Sequence, residues 1–118
     1  MEIKELINKS YENSKLHGFW DNYKREESKA CSNINDDISS DNADAYISQK
    51  LMLIVSEIAK AQEGLRKNNY DNFKEEIADC FIRLADLCGG LEIDIETEII
   101  NKLEINSKRP YKHNKNFN

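Results

Sequence analysis

The chain has 118 residues, a formal net charge of −5 and 39% hydrophobic residues. That suffices for one domain with a modest core, and the acidic balance excludes a general nucleic-acid binder, which needs a basic surface to displace counterions from phosphates. One proline and four glycines leave few breakers among abundant Glu, Lys, Leu, Ile and Ala, so an all-α fold is expected.

Ile3, Leu6, Ile7 and Tyr11 recur at helical spacing, and Gly18 halts the pattern before Phe19-Trp20. This predicts a first helix over 3–16 with an aromatic exit. Residues 24–42 are polar, rich in Ser, Asn and Asp, and aperiodic, which predicts a long loop or lid. A second helix is expected to begin after Asp41 or Asn42. It carries Ile47, Leu51, Ile54, Val55, Ile58, Ala61 and Leu65 on one stripe and ends near Lys67. After a short break, Asn72 and Glu75 form a capping box for a third helix through Phe73, Ile77, Cys80, Phe81, Leu84 and Leu87. Gly89-Gly90 supplies its left-handed stop. Asp94 caps a fourth helix, which ends before Pro110. The plan is four helices built on an antiparallel hairpin, with one domain over 1–112 and a polar tail over 113–118.

Cys31, Cys80 and Cys88 form no C-x-x-C pair and read as reduced thiols. No apolar run approaches the ~20 residues of a membrane span, and the first residues lack a signal-peptide core, so no membrane role and a cytoplasmic address are expected.

At about 100° per residue, Glu76, Asp79, Arg83 and Asp86 share one flank of the third helix, beside its apolar stripe. Glu57 bears the same offset to the stripe of the second helix. In an antiparallel hairpin equal offsets bring both rows to one side, so Glu57, Glu76 and Asp79 converge. Converging acids repel unless a cation sits between them, and oxygen-only ligands select Mg²⁺, with Mn²⁺ the alternative. The competing explanation is a solvated helix flank. On the fourth helix Lys102, Asn106 and Arg109 share a face able to hold phosphate oxygens, although a cation near a helix end also simply offsets the helix dipole. Arg83 and Asp86, three residues apart, are spaced for an ion pair.

His17-Gly18-Phe19-Trp20, the run LMLIVSEIAKAQEGLR over 51–66, NFKEEIADCFIRLADL over 72–87 and KLEINSKRPYKH over 102–113 together resemble the MazG-like, all-α nucleotide pyrophosphohydrolases. The resemblance implies a MazG-like bundle completed by oligomerisation into a homodimer or homotetramer. It implies Mg²⁺-dependent hydrolysis of a nucleoside or deoxynucleoside triphosphate to monophosphate and pyrophosphate. Glu57 then matches the first acid of an E-x-x-E, Glu76 and Asp79 match an E-x-x-D, and the three serve as metal ligands and catalytic groups. Trp20, with Phe19, would stack on the base or else plug the end of the bundle. Lys60 stands where the second acid of the E-x-x-E belongs. Either three carboxylates suffice, or the lysine pairs with Glu76 or Asp79 and displaces the metal. The alternatives to an enzyme are accordingly a nucleotide-binding or regulatory module weakened by Lys60, and a purely structural helical dimer.

Overall fold

The computed structural model describes residues 1–32 and 37–110, and every regular element among them is a helix. The five are α1 Ile3–Leu16, α2 Asp21–Ser32, α3 Asp37–Arg66, α4 Tyr70–Gly90 and α5 Ile95–Ser107. The all-α class stands, with five helices where four are expected. The expected tail at 113–118, residues 111–112 and the 33–36 part of the expected loop lie outside the described residues.

The departure from expectation is the stretch 24–42, which is helical over most of its length instead of forming a lid. α2 buries Tyr23 and Glu26 against α3, and α3 begins at Asp37, burying Ser39 and Ala43 in return. The buried face of α2 has helical spacing but carries a glutamate. Glu26 lies 3.8 Å from Lys29 and 4.0 Å from Arg25, which keeps its charge compensated. An apolar stripe is therefore missing although the helix is present.

α3 and α4 form the expected antiparallel hairpin, with α1 laid on α4 and α2 on α3. The turn closes because Asn68 accepts a left-handed φ of 57°, which Asn tolerates better than most residues, and Asn69 caps α4. The Asn69 side chain accepts from Asn72 N at 3.1 Å, so the cap lies three residues ahead of the expected one. Asp94 caps α5 as expected, accepting from the Thr97 amide and hydroxyl at 3.3 and 2.8 Å.

Gly89 and Gly90 do not stop α4. They lie inside its last turn, and the left-handed residue is Glu92, with φ 56°. Glycine is needed there for clearance. A Cβ on Gly89 would come within 2.6 Å of Tyr11 Cβ, and one on Gly90 would fall inside the Trp20 ring. This close approach seats Trp20 in a core with Tyr23, Ala43, Ile54 and Leu87. α5 buries no side chain and makes no extended contact with the other helices.

Candidate metal centre

Glu57 sits in the buried middle of α3, and Glu76 and Asp79 lie one turn apart on α4. The hairpin brings them together, with one carboxylate oxygen from each lying within 4.8 Å of the others. Glu57 is only 4% exposed. Its Oε1 accepts from Arg83 Nε at 3.0 Å and stands 3.5 Å from Lys60 Nζ. Oε2 of Glu57 and Oε2 of Glu76 are both buried without a donor.

An unsatisfied buried carboxylate oxygen is expensive, and two in contact are more so. Either a proton shared between the two carboxyls or a cation relieves them. Of the two, Glu76 favours the proton: a protonated Glu76 donates to Glu57, and that bond, with burial and the charges of Glu57 and Asp79, raises the Glu76 pKa above the usual carboxylate range. Glu57 moves the other way: the same hydrogen bond lowers it against the effect of burial, and Arg83 and Lys60 favour its charge. Burial and the three carboxylates raise the neighbouring Cys80 thiol above its ordinary range.

The residues fit a small divalent ion. Oxygens around an octahedral Mg²⁺, at 2.0–2.1 Å from the metal, lie at most about 4.2 Å apart. Adjacent ligands lie closer, about 2.9 Å apart, so oxygens that now fall within 4.8 Å of one another reach the ion by rotation of the exposed Asp79 and half-buried Glu76 side chains. Arg83 and Lys60 both engage Oε1 and leave Oε2 clear. The lysine pairs with Glu57, not with Glu76 or Asp79.

The acids open onto a groove. A cleft of about 250 Å³ is lined by Glu57, Asp79 and Arg83. It shares Ser14, Phe19, Arg83 and Asp86 with a second cleft of about 420 Å³, which adds Asn22, Gln49 and Lys50. At the junction the Ser14 hydroxyl is buried without a partner. Burial lowers the Lys50 pKa, and its ammonium donates to the Phe19 carbonyl at 2.8 Å.

Of the other residues expected at the site, Trp20 is not available to a ligand. It is 1% exposed, its Nε1 donates to Asp86 Oδ1 at 2.8 Å, and it meets Tyr11 and Tyr23 edge-on. Trp20 is thus the plug of the two expected roles, and Phe19, 67% exposed, is the aromatic that faces the groove. Asp86 serves Trp20 and Arg83 serves Glu57, so their expected mutual ion pair is absent among the described residues. Lys102 and Asn106 lie on α5 and Arg109 just beyond it, outside both clefts, and one chain does not bring them to the acids. Sequence reasoning missed Ser14, Asn22, Gln49 and Lys50. Only Lys50 carried a signal, standing two turns before Glu57 on the same face of α3.

The shared proton makes a pH prediction. Above the ordinary glutamate pKa and up to the raised pKa of Glu76, the folded protein holds a proton that the unfolded chain has released, so stability falls as pH rises through that window. Glu57 has the opposite sign but acts only below the ordinary value. Melting in EDTA is expected to weaken between a pH just above the ordinary glutamate value and a pH well above it, with added Mg²⁺ restoring more at the higher pH. An equal Mg²⁺ effect at both pH values contradicts the shared-proton account.

No protein-family model, curated protein or solved structure matches the chain.

Proposed function

We propose that this chain is a MazG-like nucleoside triphosphate pyrophosphohydrolase, using Mg²⁺ or Mn²⁺ to convert a ribo- or deoxyribonucleoside triphosphate to monophosphate and pyrophosphate. The observation that carries the reading is the pair of donorless, buried Oε2 atoms of Glu57 and Glu76, clustered with Asp79, which lines a cleft together with Glu57. Glu57, Glu76 and Asp79 hold the ion. When bound, it neutralises charge on the phosphate oxygens and acidifies the attacking water.

The chain's own groups do the rest. Arg83, held by Glu57, presents its remaining guanidinium donors to the α-phosphate. Phe19 offers a stacking face to the base, and Asn22 and Gln49 offer amides to its edge. One carboxylate of the cluster receives the proton of the water as its oxygen bonds to the α-phosphorus and the bridging P–O bond breaks, releasing pyrophosphate.

Oligomerisation belongs to the same reading. α3 exposes Leu51, Met52, Val55 and Ile58, and α5 exposes Ile99, Ile100, Leu103 and Ile105, more apolar surface than a monomer ordinarily shows. A homodimer or homotetramer covers these rows. It is also the means by which Lys102, Asn106 and Arg109 of a second copy reach the phosphates. Light scattering is expected to give an even multiple of the chain mass; a monomer at micromolar concentration contradicts this. Among the described residues no helix is long and apolar enough to cross a membrane. The three cysteines are free, which supports a cytoplasmic address as part of this reading.

Incubation with each common triphosphate and Mg²⁺ or Mn²⁺ in ¹⁸O-water tests the reaction. Monophosphate carrying the label and unlabelled pyrophosphate are expected. Release of orthophosphate and diphosphate excludes attack at the α-phosphorus. Metal-dependent binding without turnover favours the regulatory-module reading, for which the contact of Lys60 with Glu57 is the specific support.

A further inference from the structure

Lys50, Leu53, Glu57, Lys60 and Gly64 follow one another every three or four residues down one face of α3, and Lys67 continues the spacing just past its end. Asp86, Arg83, Asp79, Glu76 and Asn72 run in reverse along α4. Glu57 divides this line. Phe19, Lys50 and Arg83 lie to one side of it. On the other, towards the α3–α4 turn, is a recess of about 330 Å³ that includes Lys60, Lys67, Asn69, Asn72 and Glu76. Apart from Glu76, the hydrolytic step described above leaves the residues of this recess unused.

The recess sets two ammonium groups and two carboxamides beside the carboxylates of Glu63 and Glu76. Lys60 is 59% exposed at its side chain, and its 3.5 Å separation from Glu57 is long beside the 2.7–2.9 Å of a strong charge-assisted bond, so its donors remain largely uncommitted. Lys67 is held only by Glu63 on the same helix, at 3.4 Å between exposed groups. Gly64 lets the two helices pack closely beneath the recess, because a Cβ there would come within 3.0 Å of Asn72 Nδ2 and 3.1 Å of Phe73 N. Along the helix axis Lys60 stands about 4.5 Å beyond Glu57 and Lys67 about 15 Å beyond it. The cationic groups thus continue the line of carboxylates.

The geometry points to a subsite for the pyrophosphate end of the substrate, in which Lys60 and Lys67 hold the two phosphates that leave while the nucleoside lies towards Phe19. This rests on the pyrophosphohydrolase reading and adds a direction to it. Lys60 thereby acquires a positive role. At a position where a fourth carboxylate would recruit more metal, its ammonium supplies the charge itself.

The test is calorimetric binding of inorganic pyrophosphate and, separately, of the four common nucleoside monophosphates to the full chain in saturating Mn²⁺. Lys60→Gln is expected to weaken pyrophosphate at least tenfold and monophosphate less than twofold. Lys67→Gln is expected to act in the same direction, and Lys60→Arg to retain most of the affinity. Melting curves confirm that each variant is folded, and an unchanged Mn²⁺ affinity confirms that the acids are undisturbed. Equal losses for pyrophosphate and monophosphate, or no loss for pyrophosphate, overturn the subsite and leave the reaction standing. A wild-type chain that binds neither Mn²⁺ nor any phosphate overturns both.

Discussion

Asp79→Asn is expected to reduce pyrophosphate release by about 10²–10³-fold while leaving the fold intact, as removal of a group that stabilises charge in the transition state commonly does. Asp79 is the acid of the three best suited to this test. It is exposed and lines the cleft, and its position on the open side of the hairpin means that its loss strands no buried cation. Surface changes of that kind alter stability by about 0.5 kcal/mol or less. Removing its charge also relieves the carboxyl of Glu76, which it repels, so melting without metal holds or rises. Glu57→Gln is a poorer probe because it weakens the ion pair with Arg83 inside the hairpin. Product analysis and melting on the same Asp79→Asn sample decide the matter: full activity with Mg²⁺ removes Asp79 from the metal site.

Trp20→Ala and Phe19→Ala are expected to fail in opposite ways although the residues are adjacent. Trp20 fills the core between Tyr11, Tyr23 and the cleared surface of Gly90, so truncation leaves a cavity worth about 3–5 kcal/mol and an unpaired Asp86. Against the roughly 5–15 kcal/mol that stabilises a typical domain, that leaves little margin. Phe19 has mostly water around it, and its removal alters denaturation midpoints little. If it stacks on the base, nucleotide affinity falls by about 1–3 kcal/mol. Urea unfolding separates the first effect and nucleotide calorimetry the second. A Phe19→Ala chain with unchanged affinity removes the aromatic from the base site.

These two residues also show what the sequence could and could not disclose. The hairpin was legible from its long aliphatic helical pattern and short break, and the convergence of Glu57, Glu76 and Asp79 from angular offsets. The stripe was not the inward face, however: Leu51, Val55, Ile58, Leu65, Phe81 and Leu84 are exposed and Glu57 is buried. Which of two adjacent aromatics turns inward was not legible. The choice depends on Gly18, whose φ of 80° re-aims the chain, and on a gap over Gly90 created by another helix. The glycine pair at 89–90 matched a helix stop, but its purpose was clearance. α2 escaped notice because a charge-compensated glutamate occupies its inward face. The shared face of Lys102 and Asn106 was readable, but nothing in α5 says where that helix lies relative to the acids.

Trp20 is the only tryptophan in the chain, with the Lys50 ammonium 4.1 Å from its ring centroid and the Asp86 carboxylate on its indole nitrogen. Both charged groups also line the larger of the two joined clefts. A ligand that displaces the ammonium or draws on the carboxylate changes the electric field across the indole without touching it. The protein therefore carries an intrinsic fluorophore wired to that cleft, so that the binding proposed there can be tested by emission colour and intensity in unlabelled wild-type material.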